Sequence, residues 1–272
     1  MPRQTQIRDY IKRMTLWDDV FFRKASEDND FCEEMLQTFL DDSTLKVVSN
    51  TPQKEVLNLQ GRSVVLDLLC TLGSGKTVNV EVQKTNPKSI DHLRRVRYNA
   101  SAITANITKP SIDFKSIPNL IVIYLTKGDI FKSGFTKYCV ANVLYPSGKI
   151  VDDGLTRIFI NGSIDDKSNI SKLMKVFSGN KNFKDEFPKI SNRISFFTEK
   201  EEGVAIMTSL AEEILGDELI SIKNESFNQG EIKGRKEGEK KGKRDILGKI
   251  KDMINNKCSV EDINRFVDNF KN

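Results

Sequence analysis

Asp67, Glu81 and Gln83 are two carboxylates and a carboxamide on neighbouring strand-like segments, a set of oxygen donors able to hold a hard divalent cation. The segment from Val64 to Cys70 is apolar except for Asp67, whereas Lys76 to Gln83 alternates apolar and polar residues. Between them Gly73-Ser74-Gly75 tolerates the positive φ angles of a tight turn, so the two segments read as a β-hairpin. With all three of these residues in the loop, Leu72 pairs with Lys76 and Asp67 falls opposite Glu81, their Cβ atoms roughly 5 Å apart. Glu81 and Gln83 then share one face while Val78, Val80 and Val82 pack on the other. Like charges set opposite each other are unfavourable unless a cation lies between them, which argues for Mg²⁺ or Mn²⁺. A two-residue loop would instead set Asp67 against Val80. The competing reading keeps the carboxylates as structural groups satisfied by backbone donors or ion pairs.

Such a hairpin needs further elements to hold it. Leu16, Val20, Phe31, Met35, Leu36, Phe39 and Leu40 are spaced for helical packing from Thr15 to Leu40. Thr15 is the expected cap, Asp18 and Asp19 sit in the favourable first turn, and Asp28-Asn29-Asp30 breaks the run into two helices. Ser89-Ile90-Asp91 caps a helix running to about Thr108, with Leu93, Val96, Ala100, Ile103 and Ile107 inward. Arg94, Tyr98 and Ser101 line a neighbouring face, and Arg95 and Arg97 add charge beside it. This helix could present guanidinium groups to phosphates, the alternative being a solvated basic face. Asn119 to Leu125 reads as a buried strand, and strands near Thr136 to Tyr145 and Leu155 to Asn161 extend the sheet around the turn Pro146-Ser147-Gly148-Lys149. From Asn169 onward the pattern turns helical, with one amphipathic helix around Leu173 and another from Val204 to Leu215.

Composition narrows the chemistry. A chain of 272 residues is long enough for one sizeable α/β domain with appendages. The four cysteines have no Cys-x-x-Cys spacing, against a zinc ribbon or disulfide scaffold and in keeping with a reducing compartment. Charged residues punctuate the N-terminus and no apolar run approaches a membrane span, so the expectation is a cytoplasmic protein with no membrane partner. The single histidine, His92, reads as a helix-surface residue, which makes histidine-centred chemistry improbable. Gly73-Ser74-Gly75-Lys76-Thr77 fails as a phosphate loop because Cys70 stands where that motif requires glycine, so no nucleotide cofactor is implied.

At the hairpin the chain resembles the PD-(D/E)XK phosphodiesterase superfamily, in which an Asp on one strand and a (D/E)-x-K on the next hold the catalytic metal. More narrowly it resembles the bacterial recombination-promoting nuclease and transposase family, where the last motif position is usually Gln, as in Glu81-Val82-Gln83. Asp19-Val20-Phe21-Phe22-Arg23 is similar to that family's N-terminal Asp-x-x-Phe-Lys helix, with Arg23 keeping the charge of the usual lysine. Arg94-Arg95-Val96-Arg97-Tyr98 is similar to its Arg-x-x-x-Tyr helix. The resemblance implies an α/β fold: a PD-(D/E)XK (restriction-endonuclease-like) core with a mixed central sheet flanked by helices, plus a helical C-terminal extension. It implies Asp67, Glu81 and the Val82 backbone carbonyl as ligands of Mg²⁺ or Mn²⁺, and Gln83 as the group that positions the attacking water. Asp19 and Arg23 are secondary candidates, and Arg94, Arg97 and Tyr98 the DNA-binding ones. Gln83 departs from the lysine of the wider motif: a neutral carboxamide can hydrogen-bond but not stabilise developing charge as an ammonium does. The strand Thr156 to Asn161 also lacks an acidic ending, and Leu66 replaces a proline.

The tail carries Gly230, Gly234, Gly238 and Gly242 at four-residue intervals, a stripe that would let another backbone approach a helix closely and leaves self-association open. Between Gly230 and Lys251 nine Lys or Arg stand against four Asp or Glu, an excess of +5 that equals the net charge of the whole chain. Basicity concentrated in this way suits a polyanion. The organisation expected is a nuclease-like domain over 1–220, then a basic glycine-repeat arm and C-terminal helical hairpin over 221–272. The function expected is metal-dependent DNA endonuclease activity with low sequence specificity, in the setting of DNA recombination or transposition. The alternative is a non-catalytic DNA-binding or self-associating protein on a degenerate nuclease fold.

Overall fold

A computed structural model describes residues 8–58, 61–84 and 89–213. The chain divides into two units, Met1–Ala211 and Glu212–Asn272, and nearly all described residues belong to the first. The glycine-repeat arm and C-terminal hairpin expected beyond residue 220 lie outside the described residues.

Among the described residues eight strands follow in order: β1 (Val47–Val56), β2 (Val64–Leu72), β3 (Thr77–Gln83), β4 (Leu120–Thr126), β5 (Lys137–Val140), β6 (Asn142–Leu144), β7 (Lys149–Val151) and β8 (Leu155–Asn161). The described helices are α1 (Asp19–Ala25), α2 (Asn29–Leu40), α3 (Ser89–Ile107), α4 (Asn169–Phe177) and α5 (Pro188–Glu199), with further helical stretches over 8–11 and 201–213. A six-stranded sheet has the order β1-β2-β3-β4-β8-β5. It is mixed: β3, β4 and β8 run parallel, and the remaining neighbours pair antiparallel. Parallel β3 and β4 need a long crossover, and α3 supplies it. This is the mixed, helix-flanked α/β core that the sequence predicts. The strands β6 and β7 do not extend it; they form a separate two-stranded sheet in which Val143, Leu144 and Ile150 are exposed. No described helix is long and apolar enough to cross a membrane.

Two cores cover the sheet. On one face α1, α2, α4 and α5 bury Phe21, Phe22, Phe31, Phe39, Phe177 and Phe197 against Leu68, Val78, Val80, Ile123 and Ile160. On the other, α3 sets Val96, Ala100 and Ile103 against Leu66, Val122, Tyr124 and Phe159. Strand β4 lies between them and is buried along its whole length, as a central parallel strand must be. The break expected at Asp28 is a cap: its side chain accepts a 2.9 Å hydrogen bond from the Phe31 N–H and starts α2. Thr15 does not cap α1. Its N–H and hydroxyl both donate to Asp18 Oδ2, at 2.8 and 3.1 Å, and the helix begins at Asp19.

The β2–β3 turn has the three-residue form. The Leu72 N–H donates to the Lys76 carbonyl at 2.9 Å, the Gly75 N–H closes onto the Leu72 carbonyl at 2.9 Å, and Gly75 has φ of 81°. A Cβ at Gly75 would meet nothing within 4 Å, so the only cost of a side chain there is the left-handed backbone. Gly75→Ala should therefore lower stability by about 1–2 kcal/mol, read as a fall in the urea midpoint with an unchanged m-value.

Candidate active site

The register set by that turn pairs Leu68 with Val80, Leu69 with Asn79 and Cys70 with Val78, and there the ladder stops. Continued regularly, it would set Asp67 opposite Glu81 and hydrogen-bond Leu66 to Val82. Instead β2 turns over at Asp67. Leu66 is fully buried under α3, whereas Leu68, two residues on, is fully buried in the other core, although residues two apart in a regular strand share a face. The neighbouring strand is irregular at the same point: Gln53, which would lie opposite Asp67, has φ of 51° and no place in the β1–β2 ladder. Released from the pleat, the Asp67 carboxylate takes over the missing rung, and its Oδ2 accepts a 2.7 Å hydrogen bond from the Val82 N–H.

Glu81 stands on the α3 side of β3 and is only 1% exposed. Its Oε1 accepts a 2.9 Å hydrogen bond from Asn79 Nδ2, which also donates to the Leu68 carbonyl at 3.1 Å. Its Oε2 has no hydrogen-bond partner among the described residues; Arg95 Nη2 lies 3.6 Å away. Burial raises the Glu81 protonation equilibrium to about 7, the negative charge of Asp67 adds to the effect, and Asn79 and Arg95 oppose it. Asp67 rises to about 6, chiefly through burial; the Val82 hydrogen bond and Arg95 oppose the rise, and the charge of Asp19 adds to it.

Gln83 ends β3. Its Oε1 accepts hydrogen bonds from Arg95 Nη1 at 2.9 Å and from the Tyr124 hydroxyl at 3.2 Å. The Tyr124 oxygen meets His92 Nδ1 at 2.9 Å; with the tyrosine proton given to Gln83, the imidazole is the donor in that contact. Burial drives the Tyr124 hydroxyl up to about 12, so it remains a proton donor across the neutral range. His92 is thus not the surface residue that helix spacing suggests. It is 1% exposed, edge-on to the Tyr124 ring, because α3 lies close over β4 at this point.

The other sequence-predicted residues lie around this centre. Asp19 begins α1, is exposed, and accepts a 3.3 Å hydrogen bond from Gln53 Nε2; Arg23 is one turn further along the same helix and exposed. Arg94 and Arg97 are exposed on α3, and the Tyr98 hydroxyl is engaged with the Arg62 carbonyl and, at 3.2 Å, with Asn58 Nδ2. Sequence reading assigns Asn79 and Tyr124 no place in the site, and Arg95 only that of added charge beside the Arg94 face. Asn79 was the detectable one, since it continues the polar face of β3 from Glu81 and Gln83. Arg95 and Arg97 flank Val96 symmetrically on a helix, and only the placement of α3 over the sheet selects Arg95. Among the described residues no cluster of three or more His, Cys, Asp or Glu side chains forms a metal-binding group, so Asp67 and Glu81 would need backbone or solvent oxygens to complete a coordination shell.

A family profile described as "PD-(D/E)XK nuclease family transposase" matches residues 19–171, spanning α1 to the start of α4 and including every residue of the carboxylate centre. No curated protein and no solved structure gives a significant match. The match takes in more than half of the 272 residues and covers the whole six-stranded sheet with α1, α2 and α3. On that footing the chain belongs to the PD-(D/E)XK nuclease family transposases.

Proposed function

We propose that this protein is a divalent-metal-dependent DNA endonuclease that hydrolyses phosphodiester bonds with low sequence specificity, in the setting of DNA recombination or transposition. The observation that carries this reading is the Asp67–Glu81 pair: one half-buried and one buried carboxylate, the latter with an unsatisfied oxygen, with burial raising both protonation equilibria and the charge of Asp67 adding to the rise at Glu81. Such a pair is costly without a compensating cation and suits Mg²⁺ or Mn²⁺. Asp67 and Glu81 would hold the ion, together with the Val82 carbonyl, which leaves β3 on the same side as the Val82 N–H already directed at Asp67. A bound divalent ion supplies Lewis-acid activation of water and neutralises charge on the phosphate.

The chain's own groups then position the substrate. Asn79 holds Glu81 Oε1, leaving Oε2 as the oxygen that would hold the ion. Asp19, at the start of α1, contributes negative charge close to Asp67, and Arg23 on the same helix would meet the DNA backbone. Arg94, Arg97 and Tyr98 on α3 form the second wall of the DNA-binding surface, contacting phosphates and so carrying little base selectivity. In the hydrolysis itself a water oxygen bonds to phosphorus, the bond from phosphorus to a bridging oxygen breaks, and that oxygen gains a proton. The test is nicking of supercoiled plasmid in Mg²⁺ and in EDTA. Cleavage in Mg²⁺ alone is expected, with fragment ends scattered over the sequence; binding that falls with added salt but no cleavage in any divalent ion would favour the non-catalytic reading.

A further inference from the structure

In the wider motif a lysine on the metal-binding strand brings positive charge to the reacting phosphate, and Gln83 at that position carries none. Four observations show where the charge has gone. Among the described residues the cation nearest the unsatisfied Glu81 oxygen is Arg95, at 3.6 Å. The other terminal nitrogen of the same guanidinium is hydrogen-bonded to the Gln83 carboxamide at 2.9 Å. That carboxamide oxygen is braced on its second side by Tyr124, itself held by His92. Half of the Arg95 side chain is solvent-exposed, so the guanidinium can also face a ligand approaching from outside.

We infer that Gln83 and Arg95 act as one unit: Gln83 anchors the guanidinium, and Arg95 supplies at the scissile phosphate the positive charge that a lysine at position 83 would have supplied. The inference rests on the nuclease reading and gives Gln83 a different task from that of positioning water. Its carbonyl oxygen already accepts two donors and functions as a clamp. A guanidinium suits the task because it stays charged at any working pH and its fork can meet Gln83 with one nitrogen and a phosphate oxygen with another. Tyr124 and His92 are positioning residues, acting only through the clamp.

The experiment uses the full chain with Arg95→Ala, Gln83→Lys and the double substitution. Arg95→Ala is expected to lower kcat for plasmid nicking about a hundredfold. Adding Gln83→Lys to it should restore at least tenfold, because the ammonium returns the charge from the strand. Melting in Mn²⁺ provides a readout independent of turnover: Arg95→Ala should keep a metal-induced rise in Tm at least as large as that of the wild type, since the lost guanidinium repels the ion. Wild-type kcat in Arg95→Ala, or no rescue by Gln83→Lys, overturns the inference while leaving the nuclease assignment intact. Loss of the Mn²⁺ effect in Arg95→Ala overturns it in favour of a purely structural role. If the wild type itself fails to cut DNA, it is the proposed function that fails.

Discussion

Asp67→Ala and Glu81→Ala should each reduce plasmid nicking by on the order of 10²- to 10³-fold or more, with DNA binding in EDTA nearly unchanged. The expectation follows from the scarcity of charge at the centre: Asp67 and Glu81 are the two carboxylates brought together there, and no metal-holding cluster of three exists among the described residues to take over. Asp67→Asn separates chemistry from folding. An asparagine oxygen can still accept the Val82 N–H, so the 2.7 Å rung that fixes the turned-over segment of β2 should persist while the negative charge is lost. Cleavage by Asp67→Asn at the wild-type rate would show that the carboxylate's role is structural.

The metal-free protein should lose stability as pH rises from about 4 to about 7, and Glu81→Gln should abolish much of that loss. Glu81 ionises near pH 7 in the fold and Asp67 near 6, both above their ordinary values. Between those limits the unfolded chain binds fewer protons than the folded one, so the folded state is progressively disfavoured and the full penalty is reached above pH 7. Below pH 4 both groups are protonated in either state and contribute nothing. At 1.36 kcal/mol per pKa unit the Glu81 penalty is on the order of 3 kcal/mol, or roughly 10 °C in Tm. Glu81→Gln should therefore melt higher than the wild type at pH 8 in EDTA and equal to it near pH 4. Saturating Mg²⁺ should raise the wild-type Tm by a similar amount and leave Glu81→Gln almost unmoved. A Glu81→Gln protein that melts lower than the wild type at pH 8 in EDTA would contradict the account of the pair as a strained cation site. The gain on removing an essential group is the usual sign of a site whose strain serves function.

Short-range patterns in the chain were sufficient for the hairpin. Apolar alternation across Val78, Val80 and Val82 and the length of Gly73-Ser74-Gly75 fix which residues pair, since strand periodicity and turn geometry are local properties. The break at Asp28, the buried strand β4 and the helix from Ser89 were legible for the same reason. The separate β6–β7 hairpin was not, because local pattern marks a strand without saying which neighbour it joins.

What the sequence by itself determined was the hairpin that carries Asp67, Glu81 and Gln83 and its register from the turn back to Leu68 and Val80, because these follow from periods of two and from a turn. What only the tertiary structure decided was how those three side chains are used. The reversal of β2 at Asp67 depends on two cores competing for Leu66 and Leu68, and it alone puts the carboxylate in the plane of the sheet against Val82. The choice of Arg95 over Arg94 and Arg97, and the burial of His92 against Tyr124, depend on how α3 crosses β4. Helix periodicity names the inward stripe but leaves its two flanks equivalent, and packing against the sheet is what makes them differ.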